Sequence, residues 1–149
     1  MEKKKIYVTP NFKNMRIIEN PFLPKDDIPS VITKPEDVEK YWDDFNECYM
    51  FGQLIIQCAL DLSEYSITAT SISTVKPLIA QSITCEGKII GTKIKAKEIN
   101  CVSIMADEVY VDTLIYSEIC TVTSLSVVTL HPSTSRAVEK CNKIIKRES

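Results

Sequence analysis

The chain has 149 residues, 44% of them apolar and 26% charged, with a formal net charge of −2. That composition excludes a mainly disordered chain and suits one domain with terminal additions. A net charge so close to zero selects no class of partner by itself.

Met1-Glu2-Lys3-Lys4-Lys5 is basic, but only Ile6-Tyr7-Val8 follow before Thr9-Pro10. A signal peptide has a longer apolar region, roughly 7–15 residues. The longest apolar stretch, near residues 54–62, is interrupted by Gln57 and Asp61, and falls well short of the about 20 residues of a membrane span. A cytoplasmic location and no membrane partner are therefore expected. Cys48, Cys58, Cys85, Cys101, Cys120 and Cys141 are scattered, with no two separated by two to four residues. They show no zinc-knuckle or redox-pair spacing and are read as reduced packing residues.

Residues 1–61 form the first segment. Residues 6–8 and 15–18 are short strand candidates, after which Asn20-Pro21 and Leu23-Pro24 break regular structure. Thr33-Lys34-Pro35-Glu36 matches a helix start, with a threonine N-cap, proline in the first turn and glutamate three residues on. Val38, Tyr41, Trp42, Phe45, Cys48 and Tyr49 then recur at helical spacing, and Gly52 is a stop. The spacing predicts a capping helix over about residues 34–51, its aromatic stripe packed on a core.

Residues 62–130 carry a repeat. Ile89, Ile94, Ile99, Ile104, Val109, Leu114 and Ile119 stand five residues apart, and two positions after each lie Gly91, Ala96, Cys101, Ala106, Val111, Tyr116 and Thr121. With single insertions at Pro77, Lys88 and Ser124, the rule extends to Ile67 with Ala69, Ile72 with Thr74, Leu78 with Ala80, Ile83 with Cys85, and Leu125 with Val127. A helix would spread these side chains around its circumference, because five residues advance it by about 140° net. A flat strand would alternate them between faces, because five is odd. The period is consistent with a chain that turns a corner after each unit, so that the first and third side chains enter one narrow core.

Residues 131–149 are polar and basic, with a helix expected over residues 135–146. Its apolar face is Ala137, Val138, Cys141, Ile144 and Ile145.

The units Ile94-Lys95-Ala96-Lys97-Glu98, Ile99-Asn100-Cys101-Val102-Ser103 and Ile104-Met105-Ala106-Asp107-Glu108 resemble those of the pentapeptide-repeat proteins. The resemblance covers residues 67–129, although the usual family unit puts the small residue first and Leu or Phe two later. It implies a mainly β fold: a short right-handed parallel β-solenoid with four units per coil and about three coils. Residues twenty apart would then stack: Ile94 on Leu114, Ile99 on Ile119 and Ile89 on Val109. An N-terminal α-containing cap and the C-terminal helix would cover the two ends.

No GxGxxG, GK[ST], HExxH or GxSxG motif is present, and the single histidine, His131, has no arguable catalytic partner. Neither an enzyme nor a bound cofactor or metal is expected. Asp26-Asp27 and Asp43-Asp44 are read as solvated. Exposed apolar side chains at outward positions suggest a contact patch made of Val102, Met105, Tyr110, Ile115 and Val122, with Cys120 at the same outward place. The patch would hold a protein partner or a second copy. Glu98 and Glu118 would stack as an acidic column. The family includes DNA mimics that block topoisomerases, which makes such a surface one alternative. Arg136, Lys140, Lys143, Lys146 and Arg147 offer a weaker alternative, contact with nucleic-acid phosphates. The expected function is a non-enzymatic adaptor or inhibitor that binds a protein, for example a nucleic-acid enzyme or defence nuclease in a bacterial or phage setting. The remaining alternative is a structural protein that self-assembles end to end, as the bactofilins do.

Overall fold

A computed structural model describes residues 29–148. The strand candidates at residues 6–8 and 15–18, and Asp26-Asp27, lie outside the described residues. Strands account for 70% of what is described.

In chain order the elements are β1 (Pro29–Ile32), a 3-10 helix (Pro35–Tyr41), β2 (Trp42–Asp43), β3 (Cys48–Met50), β4 (Gln53–Ile56), β5 (Leu60–Ala69) and β6 (Ser71–Thr74). There follow β7 (Leu78–Cys85), β8 (Lys88–Ile90), β9 (Lys93–Pro132), β10 (Val138–Glu139) and β11 (Lys143–Lys146). All pairs are parallel except β2 with β3. Parallel pairing between successive passes of one chain, with no covering helices, is the signature of a solenoid. This one makes about five turns.

The core is a column of side chains two residues apart. Next to the buried Ser30/Ile32 of β1, the buried pairs of the first complete coil are Tyr49/Phe51, Leu54/Ile56 and Leu60/Leu62. The second coil contributes Ile67/Ala69, Ile72/Thr74 and Leu78/Ala80. The pattern continues through Ile83/Cys85, past Ile89, and on to Leu125/Val127. Three pairs therefore complete a coil, one on each side of a triangular column.

The register supports this count. Tyr49 meets Ile67 eighteen residues on, Ile67 meets Ile83 and Ile83 meets Ile99 at sixteen, and Ile89 meets Ile104 at fifteen. The expectation of four units per coil is thus corrected to three. Ile89 lies against Ile104 rather than Val109, and Ile99 against Ile83. The coil count rises for two reasons: each coil uses fewer units, and the repeat starts earlier than residue 67. A period of five says where the chain bends, not how many bends close a circuit.

Packing accounts for the small residues. In the middle coils the second inward position is Ala69, Thr74, Ala80, Cys85, Gly91, Ala96, Cys101 or Ala106, whereas the end coils use Phe51, Ile56, Leu62, Tyr116, Val122 and Val127. Large side chains fill the wider end coils, and small ones fit the narrow waist. Gly91 is the extreme. A Cβ there would lie 2.8 Å from Thr74 Cγ2 and 2.9 Å from Ile94 Cδ1.

Beyond the insertions at Pro77 and Lys88, the repeat changes phase again after Leu114. Cys120 and Val122 are fully buried (0% and 1% exposed), while Ile119 is 40% exposed. The extra residue therefore falls between Tyr116 and Cys120, not at Ser124. Because alternate side chains of a strand face opposite ways, a one-residue slip exchanges interior and exterior. Cys120 and Val122, expected outside, are inside, and Ile119 is outside.

Both predicted helices are corrected. The first survives as the 3-10 helix Pro35–Tyr41 and stops early. Asp37 Oδ2 accepts from the Thr33 and Lys34 amides and the Thr33 hydroxyl, which holds the entry turn and keeps its carboxyl below the usual carboxylate range. Asp43 Oδ1 accepts from the Phe45 and Asn46 amides, and Glu47 takes a left-handed φ of 55°. A carboxylate that captures the amides two and three residues on replaces helical bonds with a turn. Trp42 and Asp43 consequently fold back on Tyr49 and Cys48 as a hairpin. Phe45, placed on the apolar stripe by spacing, is 93% exposed at its tip. Tyr41, Trp42, Tyr49, Phe51 and Tyr65 do form an aromatic cluster, with ring centroids 4.9–6.5 Å apart in successive contacts.

The C-terminal stretch is not a helix. β10 and β11 add another course to the column, with Val138 opposite Ile119 and Ile144 opposite Leu125. Outside these ladders, the amides of Ser133, Lys140, Asn142 and Arg147 donate to the carbonyls of Tyr116, Cys120, Val122 and Val127. A short amphipathic helix is marginal in isolation, and here an open sheet edge offers its backbone better partners.

Candidate functional surface

With the register known, the outward side chains sort into three columns about 4.8 Å apart per rung. On the first side, Val31, Ile55, Ser73, Ile90 and Met105 are directly paired from coil to coil. Val31, Ile90 and Met105 are exposed (42%, 44% and 51%), and Ile55 is half-buried. Off this column, the paired Ile119 and Val138 are exposed as well. The second side runs Met50, Thr68, Thr84 and Asn100. The third runs Asp61, Ile79 and Lys95, and the Lys95 ammonium sits 5.4 Å from the ring of Tyr110. The first side is therefore an apolar strip, the second a hydroxyl and amide ladder, and the third a charged and aromatic face.

The residues expected to form one patch are divided among these surfaces. Met105 is on the apolar side. Tyr110 is on the charged side, exposed and in contact with Lys95 and Arg147. Ile115 and Val102 are half-buried, and Val122 is interior. Glu98 and Glu118 are exposed, but Glu98 lies beside Ser82, not Glu118. The acidic column expected of a DNA mimic is not formed. Arg136, Lys140, Lys143 and Lys146 are exposed along the last course, whereas Arg147 is half-buried and turned back onto the column.

Sequence reading missed Val31, Ile55 and Ile90. A signal for two of them was present: Leu54-Ile55-Ile56 and Ile89-Ile90 place an aliphatic beside an inward aliphatic, where alternation calls for a polar residue.

Among the described residues, no group of three or more His, Cys, Asp or Glu converges as a metal site, and His131 is exposed. The cysteines are free. Burial pushes the Cys101 thiol up to about 12 and raises Cys85 and Cys120 as well. Thiols held protonated are poor nucleophiles. No helix among the described residues is long and apolar enough to cross a membrane. No family model, curated protein or solved structure matches this chain.

Proposed function

We infer that this chain is a non-enzymatic binding module, an adaptor or inhibitor that docks a protein along the apolar side of its column. The observation that carries this reading is the column Val31–Ile55–Ser73–Ile90–Met105, paired rung by rung and free of charge. Its five rungs span about 19 Å. Aliphatic side chains repeated on a rigid parallel sheet offer a flat, preorganised surface, and preorganisation lowers the entropic cost of association.

The test is affinity capture with the full chain and with an Ile90→Lys/Met105→Lys variant. The reading expects one protein, retained by the wild type and lost by the variant, that rebinds the wild type after purification. A variant that melts like the wild type and captures the same protein equally well places the binding elsewhere.

A further inference from the structure

We propose that the two ends of the column bind each other between molecules, so that a second copy of this chain docks head to tail. At the N-terminal end, β1 and β2 are the outermost strands of the stack among the described residues. Residues 29–47 carry six carboxylates, Glu36, Asp37, Glu39, Asp43, Asp44 and Glu47, against Lys34 and Lys40, a net of −4. Asp37 and Asp43 are anchored by backbone amides, so this charge sits on a fixed framework. At the other end, residues 131–148 carry Arg136, Lys140, Lys143, Lys146 and Arg147 against Glu139 and Glu148, a net of +3. Arg147 is consumed internally by Asp112, while the other four cations are exposed.

Distance keeps the ends from neutralising each other. About five turns at about 4.8 Å each separate them by about 24 Å. That is about three times the screening length of about 8 Å at physiological salt. Within one molecule the two fields are independent and point opposite ways along a rigid column. A second molecule in the same orientation brings them together.

The strand edge argues the same way. β10 and β11 pair only with β9 among the described residues, so they present an open edge. Lysines along such an edge, here Lys140, Lys143 and Lys146, prevent indiscriminate pairing. An acidic partner surface relieves that repulsion selectively. The contact uses different surfaces on the two copies, so it is heterologous and propagates into an open filament unless its rotation closes a ring.

The test uses the full chain, because residues 1–28, with six basic and four acidic side chains, precede β1. Sedimentation velocity is measured over a concentration series at low and high salt. Wild type is expected to sediment faster with concentration at low salt and as a monomer at high salt. Two variants reverse one end each: Asp44→Lys/Glu47→Lys and Lys143→Glu/Lys146→Glu. Each alone is expected to lose association at least about tenfold. Mixed together they associate again, since each then offers the complement the other lacks. Melting curves establish that both fold. The proposal is overturned if the reversed ends self-associate like wild type, or if the mixture of folded variants stays monomeric. It is equally overturned if wild type is monomeric at low salt while its basic end retains an oligonucleotide. Ile90→Lys/Met105→Lys leaves this association unchanged, so failure of the lateral docking surface is read separately.

Discussion

The guanidinium of Arg147 lies 4.0 Å above the ring of Tyr110. The same side chain donates to Asp112 Oδ1 at 3.2 Å, to Ser126 Oγ at 2.7 Å and to the Val111 carbonyl. One residue after β11 thus reaches back across two coils and ties the last course to the column. Arg147→Ala removes the cation–π contact and leaves the Val111 carbonyl without this donor. The exposed Asp112 pair contributes little of the loss. The expected cost is about 1–2 kcal/mol, together with faster amide exchange at residues 143–146. Unchanged exchange there argues that the tie is incidental.

Adjacent residues should differ sharply across the wall of the column. Ile104 is interior and its neighbour Met105 is 51% exposed. Ile104→Asp buries a carboxylate without a partner and costs several kcal/mol. Met105→Asp changes stability by about 0.5 kcal/mol or less. Denaturant unfolding compares the two, and equal losses contradict the assignment of inside and outside.

The phase change can be tested with the same chemistry. Val122→Asp is expected to be as damaging as Ile104→Asp, because Val122 is buried. Ile119→Asp is expected to be tolerated, with a loss below about 1 kcal/mol. An uninterrupted period of five predicts the reverse order, so the ranking of these two midpoints decides where the extra residue lies.

Thiol titration links the core to pH. An unfolded chain releases the Cys101 proton near its ordinary value of 9.0, whereas the folded chain retains it to about 12. Over that window the unfolded state binds fewer protons, so stability falls as pH rises from about 9 to about 12. Below 9 this thiol adds no slope. Cys101→Ala is expected to flatten the alkaline decline, measured by urea midpoints at successive pH values. In the native protein at neutral pH, a thiol reagent should modify the half-buried Cys58 at least about tenfold faster than Cys101.

Gly91 is required for room rather than for backbone freedom. A methyl group at its Cβ position meets Thr74 and Ile94 at under 3.0 Å, and overpacking of this kind costs about 1–3 kcal/mol. Gly91→Ala should lower the melting temperature, and Thr74→Ser, which removes the nearer methyl, should recover part of the loss. Absence of any recovery removes the steric explanation.

The amino-acid sequence by itself determined the material of this fold. Aliphatic residues at every fifth place, each followed two positions later by a second, usually smaller one, specify an extended chain that bends at regular intervals around a dry axis. Ile67/Ala69, Leu78/Ala80 and Ile99/Cys101 are all buried as that pattern requires. Tertiary structure alone decided how many bends close a coil, because the number of sides depends on how three or four inward pairs fill a cross-section. It also decided the phase after Tyr116, since Ile119-Cys120-Thr121 and Cys120-Thr121-Val122 satisfy the local rule equally well and only packing against the neighbouring coil separates them. The termini obeyed the same logic. Helical spacing around Tyr41 and Ile144 was real, but Asp43 captured the amides of a turn and an open sheet edge captured those of β10 and β11. Local periodicity names the favoured side of a chain, and unsatisfied backbone groups on the neighbouring coil decide what shape that chain takes.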